Sequence, residues 1–596
     1  MRNNGRLLRA LAGVAAVSLV AVACGGPGDI DQDASGGSGG KKGGTLKLIG
    51  GDDLDEVDPA SSYYVVSSMM QRTYTRQLFS YESSKDMDVN TKLAPDVAKE
   101  LPTVENGGIS EDGLTYTIEL RDGVMWDTDP AREVVADDFI HGIKRICNPS
   151  KPNGAMHYYT DTIAGFDEFC DGFAEVEPEA GPIGEYIEQN DVPGMRAKDD
   201  KTLVFELNRP ANDFPELLGM TQTSAAPEEY LDYVPGSKEF NQNTISNGPY
   251  RIASYQPGTE MVMERNPVWK QKSDPLRGQY VDKIQARMGS SEPDVVQQQI
   301  EAGSADLSWD QDVPTAALPK LMQSEDPQLE TYPSYSTNPY LVFNQQSPNE
   351  DGAMGKVEVR RAISYAIDKT QTVRVFGGPA LNSVLNQAIP PGNVGHEEFD
   401  PYPTKGDKGD PKKCKRLLSD AGYPDGLTLK AWYRNSSNHP AIAQSYQADL
   451  EKCGIEVKLI PLPNGDYYSE YLQKPGKGKA GDWDITAPGW IPDWFGNNGR
   501  AIVQPLFQTN CNQGTVNYGC YSNKKVDDLI QQALAEQDPD KASKLWNQVD
   551  RQVMKDAVIV PFKTETFPIY RSERVQNALY MPRERKYDLT QIWLEQ

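Results

Sequence analysis

An α/β protein is predicted from three observations on the chain. From Lys412 onward the order is helix, strand (Leu427, Leu429, Ala431, Tyr433), helix (Ile442 to Cys453, stopped by Gly454) and strand (Ile455, Val457, Leu459). A strand–helix–strand order needs a crossover, and therefore implies a parallel pair. Elsewhere short stretches with an apolar residue at every second position alternate with stretches of helical period, as at Val359, Ala362, Ile363, Ala366 and Ile367. With 596 residues, 38% of them hydrophobic, the chain has enough material for two or three domains with cores of their own.

Residues 1–23 read as an address. Arg2, Arg6 and Arg9 precede an apolar run from Leu11 to Ala23, and Ala21-Val22-Ala23-Cys24 follows. This is the pattern of a signal peptide with a small-residue cleavage site, too short to span a bilayer. Cys24 directly after the site resembles a bacterial lipoprotein lipobox, from which Ala21 departs where Leu is usual. The alternative is an ordinary secreted protein with a chance cysteine. No later segment reaches the ~18 apolar residues of a spanning helix, so a lipid on Cys24 is the only membrane attachment expected.

Residues 24–42 hold that cysteine and a Gly/Ser-rich flexible linker. Gly36-Gly37-Ser38-Gly39-Gly40 matches the G-x-S-x-G pattern of serine hydrolases, but the strand before and helix after that the chemistry requires are missing. Charge narrows the partners. Against 60 Lys+Arg stand 86 Asp+Glu, a net charge of -26, which argues against nucleic acid or anionic lipid surfaces. Apart from Cys24, six of the seven cysteines remain, in three neighbouring pairs: Cys147 with Cys170, Cys414 with Cys453, Cys511 with Cys520. In an exported chain these read as disulfides. Zinc is the rival, but there is no C-x-x-C and the four histidines are scattered.

Along the body, Gly44 to Ile49 is an alternating strand, Tyr74 to Phe79 reads as helical, and Leu114 to Arg121 with Val124 and Trp126 reads as a hairpin turning at Asp122-Gly123. Phe139, Ile140, Ile143 and Ile146 form a helix behind Asp137 as N-cap. Leu203, Phe205 and Leu207 form a strand, and Asn247 to Ile252 turn into another whose hairpin closes at Asn266-Pro267. Ile284, Ala286 and Met288 form a further strand, and Pro293 starts a helix that Gly303 ends. On the helix around Val359, Glu358, Arg361 and Lys369 lie away from the apolar face. Near the end, Trp483 to Ile485 read as a short strand, and the Gly and Pro residues after it force a loop, Gly489-Trp490-Ile491-Pro492-Asp493-Trp494. One carboxylate, Asp493, is thus flanked by two indoles. Either the indoles fill a core while Asp493 caps a turn, or the acid is an exposed-to-ligand charge in an apolar setting, where its attraction for a cation is strengthened.

Taken in order, Leu114 to Trp126, Asn247 to Ile252, Asp294 to Leu307, Val357 to Asp368 and Ala421 to Thr428 resemble the extracellular solute-binding proteins of peptide-importing ABC transporters, family 5. The resemblance runs from about Gly43 to the C-terminus. It implies a periplasmic-binding-protein-like class II fold, two lobes in three domains. Domain I would comprise residues 43–81, 245–335 and 558–596, domain II residues 82–244, and domain III residues 336–557. The ligand cleft would lie between the first and third. Gly489, Trp490 and Asp493 match a Gly-Trp-x-x-Asp segment whose aspartate pairs, in oligopeptide and dipeptide binders, with the peptide's α-ammonium. The arginine that oligopeptide binders carry two residues before the glycine is Ala487 here, which leaves recognition of the ligand's C-terminus open. Tyr158 and Tyr159 fall near a stretch that lines the cleft in the family, and Tyr63 and Tyr64 in a loop that touches bound backbone. For these four, a packed or exposed loop aromatic is the competing reading.

The resemblance further implies binding without catalysis, no cofactor and no metal, and a monomer with a peptide ligand that works with ABC permease and ATPase subunits. It places the protein on the outer face of the cell membrane. No HExxH or usable nucleophile motif supports an enzyme, and Asp137-Asp138 and Asp527-Asp528 read as helix-start or surface charge. The same fold also serves binders of oligosaccharides, nickel complexes or haem. Asp493 speaks against a neutral sugar, whereas Trp490 would suit one.

Overall fold

The computed structural model describes residues 40–595 apart from 437 and 465; the signal segment, Cys24 and most of the linker lie outside the described residues. The first sheet is assembled from distant pieces of chain. Its order is Leu307–Ser308, Thr45–Ile49, Lys283–Arg287, Glu260–Arg265, Tyr250–Gln256. The first three are parallel and the last two antiparallel. Period-2 alternation turns Leu46, Leu48, Met261, Met263, Ile284 and Ala286 inward, where Phe567, Ile569, Tyr580 and Leu594 from the end of the chain meet them.

A second core surrounds the antiparallel sheet of Thr115–Glu119, Thr202–Glu206 and Met195–Asp199. The expected hairpin is corrected here. Gly123 does turn, at φ +75°, but Thr115–Glu119 pairs with Thr202–Glu206, whereas Met125–Trp126 pairs with Arg132–Glu133. Alternation fixed the buried faces; the partner was chosen by packing, since Tyr116 and Ile118 share one core with Leu203 and Phe205. The helix Ala136–Lys144 is capped at Val135, whose N–H is taken by Asp138 at 3.0 Å, so Asp137 is not the N-cap. Tyr74 to Phe79 is not a helix either. The helix is Val65–Tyr74, and Phe79 opens a strand to Tyr81. Its buried positions include Ser67, Ser68, Gln71 and Arg72, so no apolar period marks it in the sequence.

The third region carries the predicted crossover. Leu427–Arg434 and Ile455–Leu462 are parallel from Leu427↔Ile455 onward, joined by helix His439–Cys453, which ends at Gly454 with φ +90°. Ile485–Thr486, Tyr340–Phe343 and Ile559–Pro561 complete this sheet. Helix Val357–Ala366 buries the predicted face, but Lys369 belongs to a second helix, Lys369–Val375, and is buried with its ammonium on Leu385 O and Asn386 Oδ1 at 2.8 Å each. Disulfides join Cys147–Cys170, Cys414–Cys453 and Cys511–Cys520, with Cα separations of 5.5, 5.8 and 5.2 Å. One strand ties regions together: Lys563–Tyr570 pairs with Leu329–Pro333 and with Asn382–Val384.

Among the described residues no helix is long and apolar enough to cross a membrane, and no group of three His, Cys, Asp or Glu could hold a metal ion.

Candidate functional site

The loop after Ile485–Thr486 leaves its own sheet and enters the core of another region. Trp494, Phe495 and Ala501 pack within the cluster that holds Tyr116, Phe139 and Tyr158. The loop's path is set early. Trp490 exchanges backbone hydrogen bonds with Thr337 at 2.9 and 3.1 Å, and its indole donates to Ala501 O at 2.7 Å. Gly489 donates to the Tyr468 hydroxyl at 3.1 Å, and a Cβ there would collide with the Asn338 side chain. Glycine is therefore required by close approach. Trp490 is only 8% exposed and works as the buried anchor of the loop.

Asp493 is brought against two phenols from remote parts of the chain. Tyr63 donates to Oδ1 at 2.9 Å and Tyr158 to Oδ2 at 2.7 Å. Both donors are themselves fixed. Asp55 accepts the Tyr63 and Tyr64 amides at 2.6 and 3.1 Å. Asn153 donates to Ser62 O at 2.8 Å, tying that loop to the helix Met156–Thr160 that carries Tyr158. The Tyr158 ring meets the Trp494 ring edge-on at 5.0 Å between centroids.

The electrostatics follow from this enclosure. Burial pushes the Asp493 carboxyl up to about 6, while the hydrogen bonds from Tyr158 and Tyr63 and the field of Arg583 oppose the rise. Arg583 spends its Nε on the backbone carbonyl of Asp493 at 3.0 Å, not on the carboxylate. Among the described residues no cation forms a salt bridge with Asp493. Burial first, and then the same carboxylate, raise both phenols, so they remain donors.

The predicted residues divide accordingly. Asp493, Tyr63 and Tyr158 meet. Gly489 and Trp490 shape the loop. Tyr64 is 57% exposed beside the site. Tyr159 turns the other way: its ring is buried and its hydroxyl donates to Leu217 O at 3.1 Å, leaving it no face for a ligand in this conformation. The helical position explains it, since adjacent residues on a helix point about 100° apart.

Sequence reasoning missed Arg583 and Arg500. The buried Arg500 guanidinium donates to Thr162 Oγ1 at 3.1 Å and Tyr158 O at 3.3 Å, and lies 3.5 Å from Asp213. It thereby pins the Asp493-bearing segment to the Tyr158 helix. A charged residue inside the apolar helix Gly499–Phe507 was the available signal.

Residues 92–513 match the family described as bacterial extracellular solute-binding proteins, family 5. The chain belongs to this family. Over 488 residues it is 27% identical to the dipeptide-binding protein of Escherichia coli, covering 78% of this chain and 81% of that one. It is 26% identical to heme-binding protein A of Haemophilus influenzae over 497 residues, 80% and 81% of the two chains. The structure of a clavulanic acid biosynthesis oligopeptide binding protein superposes with a TM-score of 0.82 at 26% identity, covering 93% of this chain and 96% of that one. Such neighbours share the α/β periplasmic-binding-protein-like fold.

Proposed function

We propose that this family 5 protein captures a peptide between its lobes, without chemistry, and delivers it to the permease and ATPase subunits of an ABC importer. The observation that carries the reading is Asp493: a carboxylate at a junction of chain regions, hydrogen-bonded by two neutral donors and, among the described residues, held in no salt bridge, with Arg583 spent on its backbone carbonyl. An α-ammonium supplies the missing charge, with Tyr63 and Tyr158 orienting the carboxylate and Tyr64 at the mouth. Extended backbone can be held by main-chain hydrogen bonds, as an added strand would be, and lobe closure buries the ligand. The names of the dipeptide- and oligopeptide-binding relatives support a peptide cargo. Within this reading residues 43–81, 245–335 and 558–596 act as domain I, 82–244 as domain II and 336–557 as domain III.

Calorimetry with free and N-acetylated peptides on wild type and Asp493→Asn tests it. Leaving one member of a buried charge pair alone costs about 3–5 kcal/mol, about two to three and a half decades in Kd. Acetylation and the substitution should each produce that loss and should not add, because both delete one contact. An acetylated peptide bound by wild type as tightly as the free one would refute the assignment.

The proposal includes a lipid on Cys24 as the anchor and a monomeric working form. The intact mass of the mature N-terminal peptide decides the anchor: unmodified Cys24 on the exported protein removes it.

A further inference from the structure

A hairpin near the end of the chain reaches across to the Asp493 loop. Its strands, Tyr580–Met581 and Lys586–Tyr587, pair antiparallel with Tyr580 opposite Tyr587. Both tyrosines are buried in the core of the first sheet, which fixes the turn between the strands. Arg585 on that turn adds to the anchorage, donating to Glu565 Oε1 at 2.8 Å and stacking on the Phe567 ring at 4.1 Å. Arg583, at the tip, donates from Nε to the backbone carbonyl of Asp493 at 3.0 Å. Its side chain is 12% exposed, and its salt-bridge partner among the described residues is Glu584, at 3.7 Å. That separation is beyond hydrogen-bond range, so the Asp493 carbonyl is the acceptor that orients the guanidinium.

The bond does two things. It gives the loop a third fixed point. Trp490 is bridged to Thr337, Phe495 exchanges hydrogen bonds with the Tyr81 hydroxyl at 2.9 and 3.2 Å, and Asp493 hangs on Arg583. Of these three holders only Arg583 carries charge. The bond also tethers a cation close to the carboxylate without letting the two pair. Both carboxylate oxygens are taken by Tyr63 and Tyr158, and the Arg583 Nε is committed to the carbonyl. A cation in a salt bridge would occupy the place an ammonium needs, whereas one held off the oxygens acts through its field alone. The groups that face the carboxylate are Tyr63, Tyr158, Tyr159 and Arg583. Burial above all raises the three phenols, which stay neutral. Arg583 is therefore the charged member of the set, and its field opposes the burial that lifts the Asp493 carboxyl.

We propose that Arg583 is a positioning residue of the peptide site: it fixes the backbone of Asp493 and holds the carboxylate ionised and unpaired until an α-ammonium arrives. The role rests on the peptide reading above and gives Arg583 no contact with the ligand. A guanidinium suits it, because one donor can be spent on a carbonyl while the group stays fully charged.

The test is the affinity of tri-alanine, followed by calorimetry from pH 4.5 to 7.5, for wild type, Arg583→Lys and Arg583→Gln. Wild type should lose affinity as the pH falls through about 6. Arg583→Lys keeps the charge and loses the tether, so it should bind about twofold to tenfold more weakly at every pH, with the midpoint of the loss unmoved. Arg583→Gln loses the charge, and its midpoint should rise by about half a unit or more. Its deficit against wild type should therefore grow between pH 7.5 and 6. A purely structural role would weaken binding by one factor at all pH values. An Arg583→Gln midpoint equal to that of wild type overturns the proposal, as does an Arg583→Lys midpoint that rises as far as the Arg583→Gln one. Melting of the ligand-free variants checks their folding. Should Arg583→Gln fail to fold, Arg583→Lys decides: a loss independent of pH supports the role, and a raised midpoint refutes it. Wild-type affinity that ignores pH 6, or N-acetylated tri-alanine bound as tightly as the free peptide, defeats the Asp493 reading itself, so the two failures are distinct.

Discussion

Two buried acidic sites in this protein are opposites. Asp96 and Asp274 sit with Arg76 and Arg277 in a cluster whose side chains are fully enclosed. Arg76 Nη2 lies 2.8 Å from Asp96 Oδ1, Arg277 Nη1 lies 2.8 Å from Asp96 Oδ2, and both arginines lie within 3.5 Å of Asp274. Two charges of each sign cancel, and Asp274 also accepts from the Trp269 indole at 3.0 Å. Burial pushes its carboxyl up, but Arg76 and Arg277 outweigh it and hold the group below the usual range. Asp493 is half-buried and receives only two phenols, and its carboxyl rises to about 6. A paired buried charge is part of the scaffold. An unpaired one, placed where separate regions of the chain meet, is a demand for a partner that arrives from outside.

The comparison breaks most visibly if a scaffold charge is removed. Asp274→Ala would leave Arg76 and Arg277 sharing one carboxylate in a dry interior. Orphaning a buried charge costs about 3–5 kcal/mol, so the denaturant midpoint should fall by that equivalent at unchanged slope. Peptide affinity measured where the variant is folded should not move. A midpoint within about 1 kcal/mol of wild type, the scale of an exposed pair, would mean that the cluster is not the cancelled interior network described.

How much of this was legible in the sequence divides along the same line. The crossover from Lys412, the hairpin ending at Asn266 and the three cysteine pairs were readable because period, punctuation and proximity are local. The helix Val65–Tyr74 was not, because Ser67, Ser68, Gln71 and Arg72 are buried beside Met69, Met70 and Tyr74, and their hydrogen-bond partners outside the helix, from Asp55 and Glu56 to Asp588, leave no periodic mark. The pairing of Thr115–Glu119 with Thr202–Glu206 was hidden for a related reason: alternation names the inward face and says nothing of the neighbour. At the site, the motif Gly489, Trp490, Asp493 pointed to the acid, and its two phenols came only from the resemblance. Tyr158 and Tyr159 could not be told apart without the helix that turns one to Asp493 and the other to Leu217. Arg583 carried no local mark at all; its meaning lies in the backbone carbonyl of Asp493, ninety residues away, that takes its Nε.

The smallest effect sharpens the comparison by reversing its sign. If Asp493 waits for a cation, removing its charge should stabilise the ligand-free protein. An ordinary Asp at 3.8 moved to about 6 is a carboxyl that the folded state prefers protonated. Between those values the folded chain binds more protons than the unfolded one, so stability falls as pH rises. The loss is complete above about pH 6 and absent below the unfolded value. Each tenfold change in acidity is worth about 1.4 kcal/mol, and with part of the group reached by water about 1–3 kcal/mol is expected. Asp493→Asn keeps an acceptor for one phenol and lets the other donate or accept, so the ligand-free variant should unfold later than wild type at pH 7.5. The difference should shrink steadily toward pH 4. Peptide binding should move the opposite way, weakening for wild type as the pH drops through 6 and releasing a proton near that pH, because only the ionised carboxylate pairs with an ammonium. Melting curves of the two proteins from pH 4 to 8, with and without peptide, carry both readouts. A variant less stable than wild type at pH 7.5 would show that Asp493 is a structural acceptor like Asp274, and the contrast between the two sites would be lost.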